Sequence, residues 1–179
     1  MHTVHKIGNS TLKLITGDIT TQDTEAIVNA ANEELTPGGG VSGAIHRAAG
    51  PELWEECKTK GGCNTGEAKL TMGYNLKAKY VIHTVGPVYS GSAGDPQKLK
   101  NSYYNSLALA SRNNIKSISF PSISTGIFGY PVEKASVIAL GTIIDFIKEH
   151  PEIELVQMIL FSEAGYNVYK SSLEKIIKE

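Results

Sequence analysis

Short runs of apolar and β-branched residues alternate along this chain with longer segments whose apolar positions recur every three or four residues. The short runs predict strands at residues 11–15, 26–29, 69–73, 80–85, 117–120 and 155–161. The longer segments predict helices at residues 43–49, 51–60, 96–113, 132–147 and about 165–178. Pro51 is well placed as the first residue of the second helix, because proline is tolerated in a first helical turn.

Strands that alternate with helices are typical of an α/β sandwich with a mainly parallel sheet. The runs VIHTV and MILF are apolar on both faces, as expected of strands that helices cover on both sides. The chain shows no internal repeat, low-complexity tract or domain linker. We therefore expect residues 1–179 to form one domain.

Charge and cysteine content narrow the functional classes. Lys and Arg number 17 against 18 Asp and Glu, so no global basic bias favours a nucleic-acid partner, and an anion would be held by local backbone amides. The N-terminal residues MHTVHKIGNS lack the apolar core that a signal peptide needs, and the sequence has no run of about 18 apolar residues that would predict a membrane span. Cys57 and Cys63 lack the spacing of zinc sites and two thiols make no disulfide framework, so we expect reduced thiols, no metal and a cytoplasmic protein. Nothing in the sequence requires more than one copy of the chain, so we expect a monomer.

Residues 29–50, NAANEELTPGGGVSGAIHRAAG, lead from an apolar strand through three consecutive glycines into an Ala-rich helix. Bare glycine backbone admits a ligand closely, and the first helical N–H groups attract anions. Gly38, Gly40 and Gly43 match the spacing GxGxxG formally, but they follow the strand only after about nine residues and no ribose-binding acid follows. The segment therefore predicts a phosphate-binding loop without a nicotinamide cofactor.

A second loop of small residues, STGIFG at residues 124–129, follows the strand SISF and precedes the helix near Pro131. Ligands of parallel α/β sheets bind beyond the carboxyl ends of the strands. Two amide-rich loops at that edge predict a clamp around a diphosphate.

Several side chains near these loops have two interpretations. Asp18 either caps the following turn or accepts a hydrogen bond from an amino group such as that of adenine. Phe161 is either a core aromatic or a surface on which a base stacks. His46 lies one helical turn after Ser42 and is either structural or catalytic, whereas His83, within VIHTV, is predicted to be a core histidine. The sequence has no HExxH motif, and its residues do not assemble into a Ser-His-Asp or paired-carboxylate constellation of a classical hydrolase.

The motifs GDI (17–19), NAAN (29–32), GGGVSGAIHRAAG (38–50), TGEAKLTMGYNLKAKYVIHTVGP (65–87) and PSISTGIFGYP (121–131) occur in order along nearly the whole chain. Together they resemble the macrodomain family, and within it the MacroD-type ADP-ribosyl hydrolases. The resemblance implies a three-layer α/β/α sandwich with a mixed, mainly parallel central sheet. It also implies a cleft for ADP-ribose at the carboxyl ends of the strands.

The resemblance assigns roles to individual positions. Asp18, with the Ile19 amide nearby, would bind the adenine amino group, Phe161 would pack against the adenine ring, and Asn32 would hold the distal ribose. The two sides of the diphosphate site would be formed by Gly38, Gly39, Gly40 and Val41 and by Ser124, Thr125, Gly126, Ile127 and Phe128.

MacroD-type enzymes remove ADP-ribose from acidic side chains of proteins and deacetylate O-acetyl-ADP-ribose, without a cofactor. The resemblance thus implies ADP-ribose and mono-ADP-ribosylated proteins as partners, with Asn32, Ser42 and His46 as catalytic candidates. The subgroup typically has an Asp where this chain has Ser42, a residue that could instead serve to cap the following helix. A serine hydroxyl is no general base at neutral pH, and losing such a base typically costs about 10²–10⁴-fold in rate.

Two hypotheses therefore remain open from the sequence: an ester hydrolase whose water is oriented by the ribose and the diphosphate, and a module that binds ADP-ribose without turnover. A reader of RNA or poly-ADP-ribose has less support, because the chain has no basic stripe.

Overall fold

The computed structural model describes residues 1–178 and contains seven strands. They are β1 His2–Ile7, β2 Ser10–Thr16, β3 Ala26–Ala30, β4 Ala68–Met72, β5 Tyr80–Thr84, β6 Ser117–Phe120 and β7 Leu155–Leu160. They form one sheet in the order β1-β2-β7-β6-β3-β5-β4. The five inner strands are parallel, and the edge strands β1 and β4 are antiparallel to their neighbours. The predicted mixed, mainly parallel sheet is confirmed.

The helices of the described residues are α1 Gly40–Ala49, α2 Pro51–Cys57, α3 Asp95–Arg112, α4 Val132–Glu149 and α5 Glu163–Lys178. Ile27 of β3 packs in one core cluster with residues of α1 and α2, whereas the next residue, Val28, packs in a second cluster with residues of α3, α4 and α5. Successive strand residues point to opposite faces of a sheet. The helices therefore cover both faces, and the predicted three-layer α/β/α fold is confirmed. No helix within residues 1–178 has the length and apolarity needed to cross a bilayer.

The structure differs from the sequence prediction at two elements. β1 was not predicted, because HTVHKI mixes polar and apolar residues and buries only Ile7 fully. Its pairing with β2 defines it as an edge strand. α1 begins at Gly40, three residues earlier than predicted. Glycine has a low helix propensity, so the sequence gives no sign that a helix begins there.

Candidate functional site

The side chains predicted to form the site follow four neighbouring strands. Asp18 follows β2, Phe161 follows β7, Ser124 follows β6 and Asn32 follows β3. These strands are adjacent and parallel in the order β2-β7-β6-β3, so their carboxyl ends meet at one edge of the sheet. The Gly17 N–H donates to the Leu160 carbonyl at 2.9 Å and ties the first two loops together. The structure thus places the predicted adenine residues at one end of the edge and Asn32 at the other.

The glycine loop after β3 presents unpaired amides. α1 has Gly39 at its N-cap, no capping side chain and no acidic residue in its first turn. No group within residues 1–178 accepts a hydrogen bond from the backbone N–H groups of residues 38–42. Unpaired N–H groups and the helix dipole make this helix start positive and suited to an anion.

Asn32 stabilises the same loop through hydrogen bonds to Thr36. Its Nδ2 donates to Thr36 Oγ1 at 2.8 Å and more weakly to the Thr36 carbonyl, and its Oδ1 accepts from the Thr36 N–H at 3.0 Å. A carboxamide oxygen has two lone pairs, so Oδ1 retains capacity for a ligand hydroxyl. A Cβ on Gly38 would lie 3.7 Å from Asn32 Nδ2 and 3.9 Å from Ser42 Oγ. These three residues therefore share one corner of the site.

The loop after β6 presents a second set of amides. The N–H groups of residues 125–128 have no acceptor in the described part of the chain, while Tyr130 N–H donates to the Ser124 carbonyl at 2.9 Å. Ser124 has a φ of 68°, a strained conformation for a residue with a Cβ. Ile127, at the loop tip, is 99% exposed. The loop therefore presents a run of unpaired N–H groups after β6, at the same edge of the sheet as the glycine loop after β3.

Two buried tyrosines fix this second loop. Tyr103 Oη accepts from the Ile123 N–H at 3.0 Å, and the Tyr169 hydroxyl lies 2.6 Å from Ser122 Oγ. Burial raises the pKa of Tyr169 to about 12, so its hydroxyl stays protonated. The sequence did not indicate this role, because a tyrosine within the apolar stripe of a helix has the pattern of a core residue.

Asp18 caps the turn that follows it and keeps one carboxylate oxygen free for a ligand. Its Oδ1 accepts hydrogen bonds from the Thr20 N–H at 2.9 Å and the Thr20 hydroxyl at 2.7 Å, which caps a short 3-10 turn at Ile19–Thr21. Its Oδ2 makes no hydrogen bond with any described residue. Capping and acceptance of a ligand amino group are therefore compatible.

Phe161 is not a core aromatic. Leu160, the last residue of β7, is buried, but Phe161 is 88% exposed. The core interpretation is wrong because the chain leaves the sheet after Leu160. An aromatic ring left open at the ligand edge of a sheet is suited to stacking with a flat ligand group.

Ser42 and His46 are buried without hydrogen-bond partners. They are 5% and 7% exposed, and the Ser42 hydroxyl and both ring nitrogens of His46 are unpaired. Burial lowers the pKa of His46 and favours its neutral form. Neither His46 nitrogen reaches solvent, so neither can form a hydrogen bond with a ligand in this conformation.

His83 occupies the core position that was predicted for it. Its Nδ1 lies 3.1 Å from Asn29 Nδ2 and its Nε2 lies 2.9 Å from Thr71 Oγ1. Burial lowers its pKa to about 3, so the ring is neutral.

Burial also raises the pKa of Cys57 and of Cys63 to about 11, which leaves both thiols protonated. Residues 1–178 contain no group of three or more His, Cys, Asp or Glu side chains arranged to hold a metal ion.

Comparison with known sequences shows extensive similarity. The Macro domain family model matches residues 28–139. The chain is 50% identical over 167 residues to ADP-ribose glycohydrolase MACROD2 of Mus musculus, an alignment that covers 92% of this chain and 35% of that protein. It is 52% identical over 170 residues to an uncharacterized protein of Fusobacterium nucleatum, which covers 93% of this chain and 97% of that one. The chain thus spans about a third of the mouse protein but nearly all of the bacterial one.

Solved structures agree with the fold. A mutant macrodomain of Oceanobacillus iheyensis with ADPR superimposes with a TM-score of 0.96 at 43% identity and covers 100% of both chains. A Trypanosoma brucei macrodomain in complex with ADP-ribose superimposes with a TM-score of 0.87 at 45% identity, covering 90% of this chain and 68% of that one.

Proposed function

The chain belongs to the Macro domain family, and from this premise we propose that it binds ADP-ribose and hydrolyses the ester that joins ADP-ribose to an acidic side chain. The observation that carries the proposal is the pair of loops with unpaired amides, at residues 38–42 and 125–128, on one sheet edge. Amides that face each other across a cleft and lack protein partners bind a diphosphate without basic side chains. The mouse relative is named an ADP-ribose glycohydrolase, and the Trypanosoma brucei macrodomain was solved in complex with ADP-ribose. Both support ADP-ribose as the ligand.

The order of the strands supports one orientation of the ligand along the sheet edge. The adenine stacks on exposed Phe161 and donates from its amino group to Asp18 Oδ2. The diphosphate lies between the glycine loop and the loop at 124–129. The distal ribose then reaches the corner that Asn32, Gly38 and Ser42 share.

Hydrolysis adds one water across the ester on the distal ribose and releases ADP-ribose and a free carboxylic acid. O-acetyl-ADP-ribose carries the same type of bond and releases acetate. Asn32 holds a ribose hydroxyl, and the negative diphosphate orients the attacking water and accepts a hydrogen bond from it. Neutral His46 is closed off from the cleft and takes no proton in this mechanism.

Two measurements test the proposal together. Calorimetric titration with ADP-ribose should show binding to a single site. Incubation with a protein mono-ADP-ribosylated on Glu or Asp should release ADP-ribose faster than the buffer alone. Binding without release would contradict the hydrolase and favour a binding module, and absence of binding would contradict both.

Ser42 is the specific observation that favours the binding module, and replacing it tests that alternative. Position 42 lies in the first turn of α1, which has no acidic residue, so the helix dipole would stabilise the carboxylate of Ser42→Asp. If water activation limits the rate, Ser42→Asp should raise turnover by about 10²-fold, within the usual range for a general base, with little change in ADP-ribose affinity.

Ser42→Asn is the matched control, since it has a similar size and shape but no charge. A gain with Asp and none with Asn would show that the natural serine limits the chemistry. Equal rates in all three proteins would show that water activation does not depend on this position.

A further inference from the structure

A groove of about 380 Å³ lies beside the proposed ADP-ribose site, between the glycine loop and the outer faces of α1 and α2. Its walls include Pro37, the Trp54 ring and the edge of His46. The proposed function leaves it unused, because the adenine, diphosphate and distal ribose all follow the edge of the sheet. Its volume lies in the range of about 300–1,000 Å³ that is usual for ligand sites.

Gly38 connects the groove to the distal end of the site. It lines the groove, and a Cβ placed on it would also lie within 3.9 Å of both Asn32 and Ser42. On the other side, the Gly38 carbonyl oxygen lies only 2.5 Å from where a Gly43 Cβ would stand, and Arg47 Nη1 lies 3.0 Å from the same point. The groove therefore begins at the distal ribose corner, with Arg47 beside its opening.

The charges of the groove are arranged unequally. Arg47 is exposed, and its guanidinium makes no ion pair or hydrogen bond with any described residue. Glu55 is already paired with Lys58 at 3.0 Å. Of the two charged residues that line the groove, only Arg47 therefore has no charged partner among the described residues.

We propose that this groove binds the polypeptide segment that carries the ADP-ribose, and that Arg47 selects segments with acidic residues next to the modified side chain. The inference rests on the proposed function, which places the distal ribose and its ester at Asn32. From that ester the polypeptide leaves the cleft past Gly38 and enters the groove. Trp54 offers a half-buried flat surface for the segment, and the unpaired guanidinium of Arg47 attracts a neighbouring carboxylate.

The test uses three probes whose binding needs no turnover. The first is an acidic peptide joined to the distal ribose of ADP-ribose through a non-hydrolysable linkage. The second is the same conjugate with its flanking acids replaced by amides, and the third is free ADP-ribose. We expect the acidic conjugate to bind about tenfold more tightly than the neutral one at low ionic strength, an advantage that salt should reduce.

Two charge-reversal variants distinguish a specific effect of Arg47 in the groove from a general effect of the protein's net charge. The chain has only two arginines, Arg47 and Arg112. Arg112 is exposed at the end of α3 and does not line the groove, so Arg112→Glu is the matched control for Arg47→Glu. We expect Arg47→Glu to abolish the preference for the acidic conjugate and Arg112→Glu to retain it.

Equal binding of the three probes to the wild-type protein would overturn the inference. The same weakening of all three by Arg47→Glu would also overturn it, because Arg47 would then act on ADP-ribose itself. Selective binding of the acidic conjugate without any hydrolysis of an ester substrate would support the groove while contradicting the hydrolase. If even free ADP-ribose fails to bind, the proposed function and the inference fall together.

Discussion

Gly86 shows how a single residue shapes the second loop of the site. It follows β5, and a Cβ built on it would lie 2.2 Å from Ser124 Oγ and 2.5 Å from Ile123 Cγ2. Ser124 can rotate its hydroxyl, but Ile123 is fully buried and cannot move aside. The absence of a side chain at Gly86 therefore allows the loop to pack against β5 in its observed position.

Gly86→Ala should consequently displace the loop at 122–129. We expect a loss of about 1–3 kcal/mol in the free energy of unfolding, the usual cost of overpacking, together with weaker binding of ADP-ribose. Urea denaturation and calorimetric titration measure the two effects. Unaltered ADP-ribose affinity would show that the loop conformation does not depend on this contact.

At the scale of elements, α3 holds the loop that follows β6. Tyr103 extends from the buried side of α3, and its Oη accepts the Ile123 N–H at 3.0 Å. Because Tyr103 is fully buried, water cannot replace this acceptor. The position of the loop thus depends on a helix that contributes no residue to the predicted site.

Tyr103→Phe keeps the ring and removes this acceptor. Leaving a buried N–H unpaired typically costs about 1–3 kcal/mol, and we expect a stability loss of that size. Amide hydrogen exchange at Ile123 should also be faster in the variant than in the wild type, by a larger factor than at the amides of the strands. Equal stability of wild type and variant would contradict the role of the hydroxyl.

Gly141 lies within α4, and no heavy atom outside the helix lies within 4 Å of where its Cβ would stand. Gly141→Ala should therefore stabilise the protein by about 0.5–1 kcal/mol through helix propensity alone. Gly73→Ala is the contrasting control, because a Cβ there would lie 2.1 Å from the Ala78 carbonyl oxygen. Thermal unfolding should show a higher Tm for the first variant and a lower Tm for the second.

At the scale of the whole molecule, buried histidines couple stability to pH. Burial lowers the pKa of His83 from 6.5 to about 3 and lowers that of His46 as well. As the pH falls below 6.5 the unfolded chain takes up these protons first, so the stability that the two neutral rings contribute is fully present above pH 6.5 and is lost as the pH falls toward 3. The lowered pKa values of Glu56, Asp95 and Glu152 act in the same direction, but only below their ordinary values of 4.5 and 3.8.

Between pH 6.5 and 4.5, the change in stability with pH therefore reports on the buried histidines and not on these carboxylates. We expect the urea midpoint of the wild-type protein to be lower at pH 5 than at pH 7. His83→Gln, which keeps a polar group without an ionisable ring, should show a smaller difference between the two pH values. A wild-type midpoint that is equal at both would contradict this coupling.

Local patterns in the sequence determined much of the architecture. Helix and strand periodicity predicted every helix and six of the seven strands, and the glycines at 38–40 and the segment at 124–129 identified both amide-rich loops. These features are accessible from sequence because they depend on neighbouring residues: side-chain period, glycine backbone and helix starts. The motif resemblance added which part of ADP-ribose each loop would bind.

The tertiary structure decided what depends on residues far apart in the chain. The order β2-β7-β6-β3 aligns Asp18, Phe161 and Asn32 along one edge, and it follows from strand pairings that no local pattern encodes. Phe161 is exposed because the chain leaves the sheet after Leu160, and the Gly38 carbonyl and Arg47 both lie close to Gly43 because the loop folds back onto α1. The sequence by itself specified the parts of the cleft, since propensity and period are local. Its order, its tyrosine supports and its adjoining groove arise only when the sheet assembles, because they are set by long-range packing.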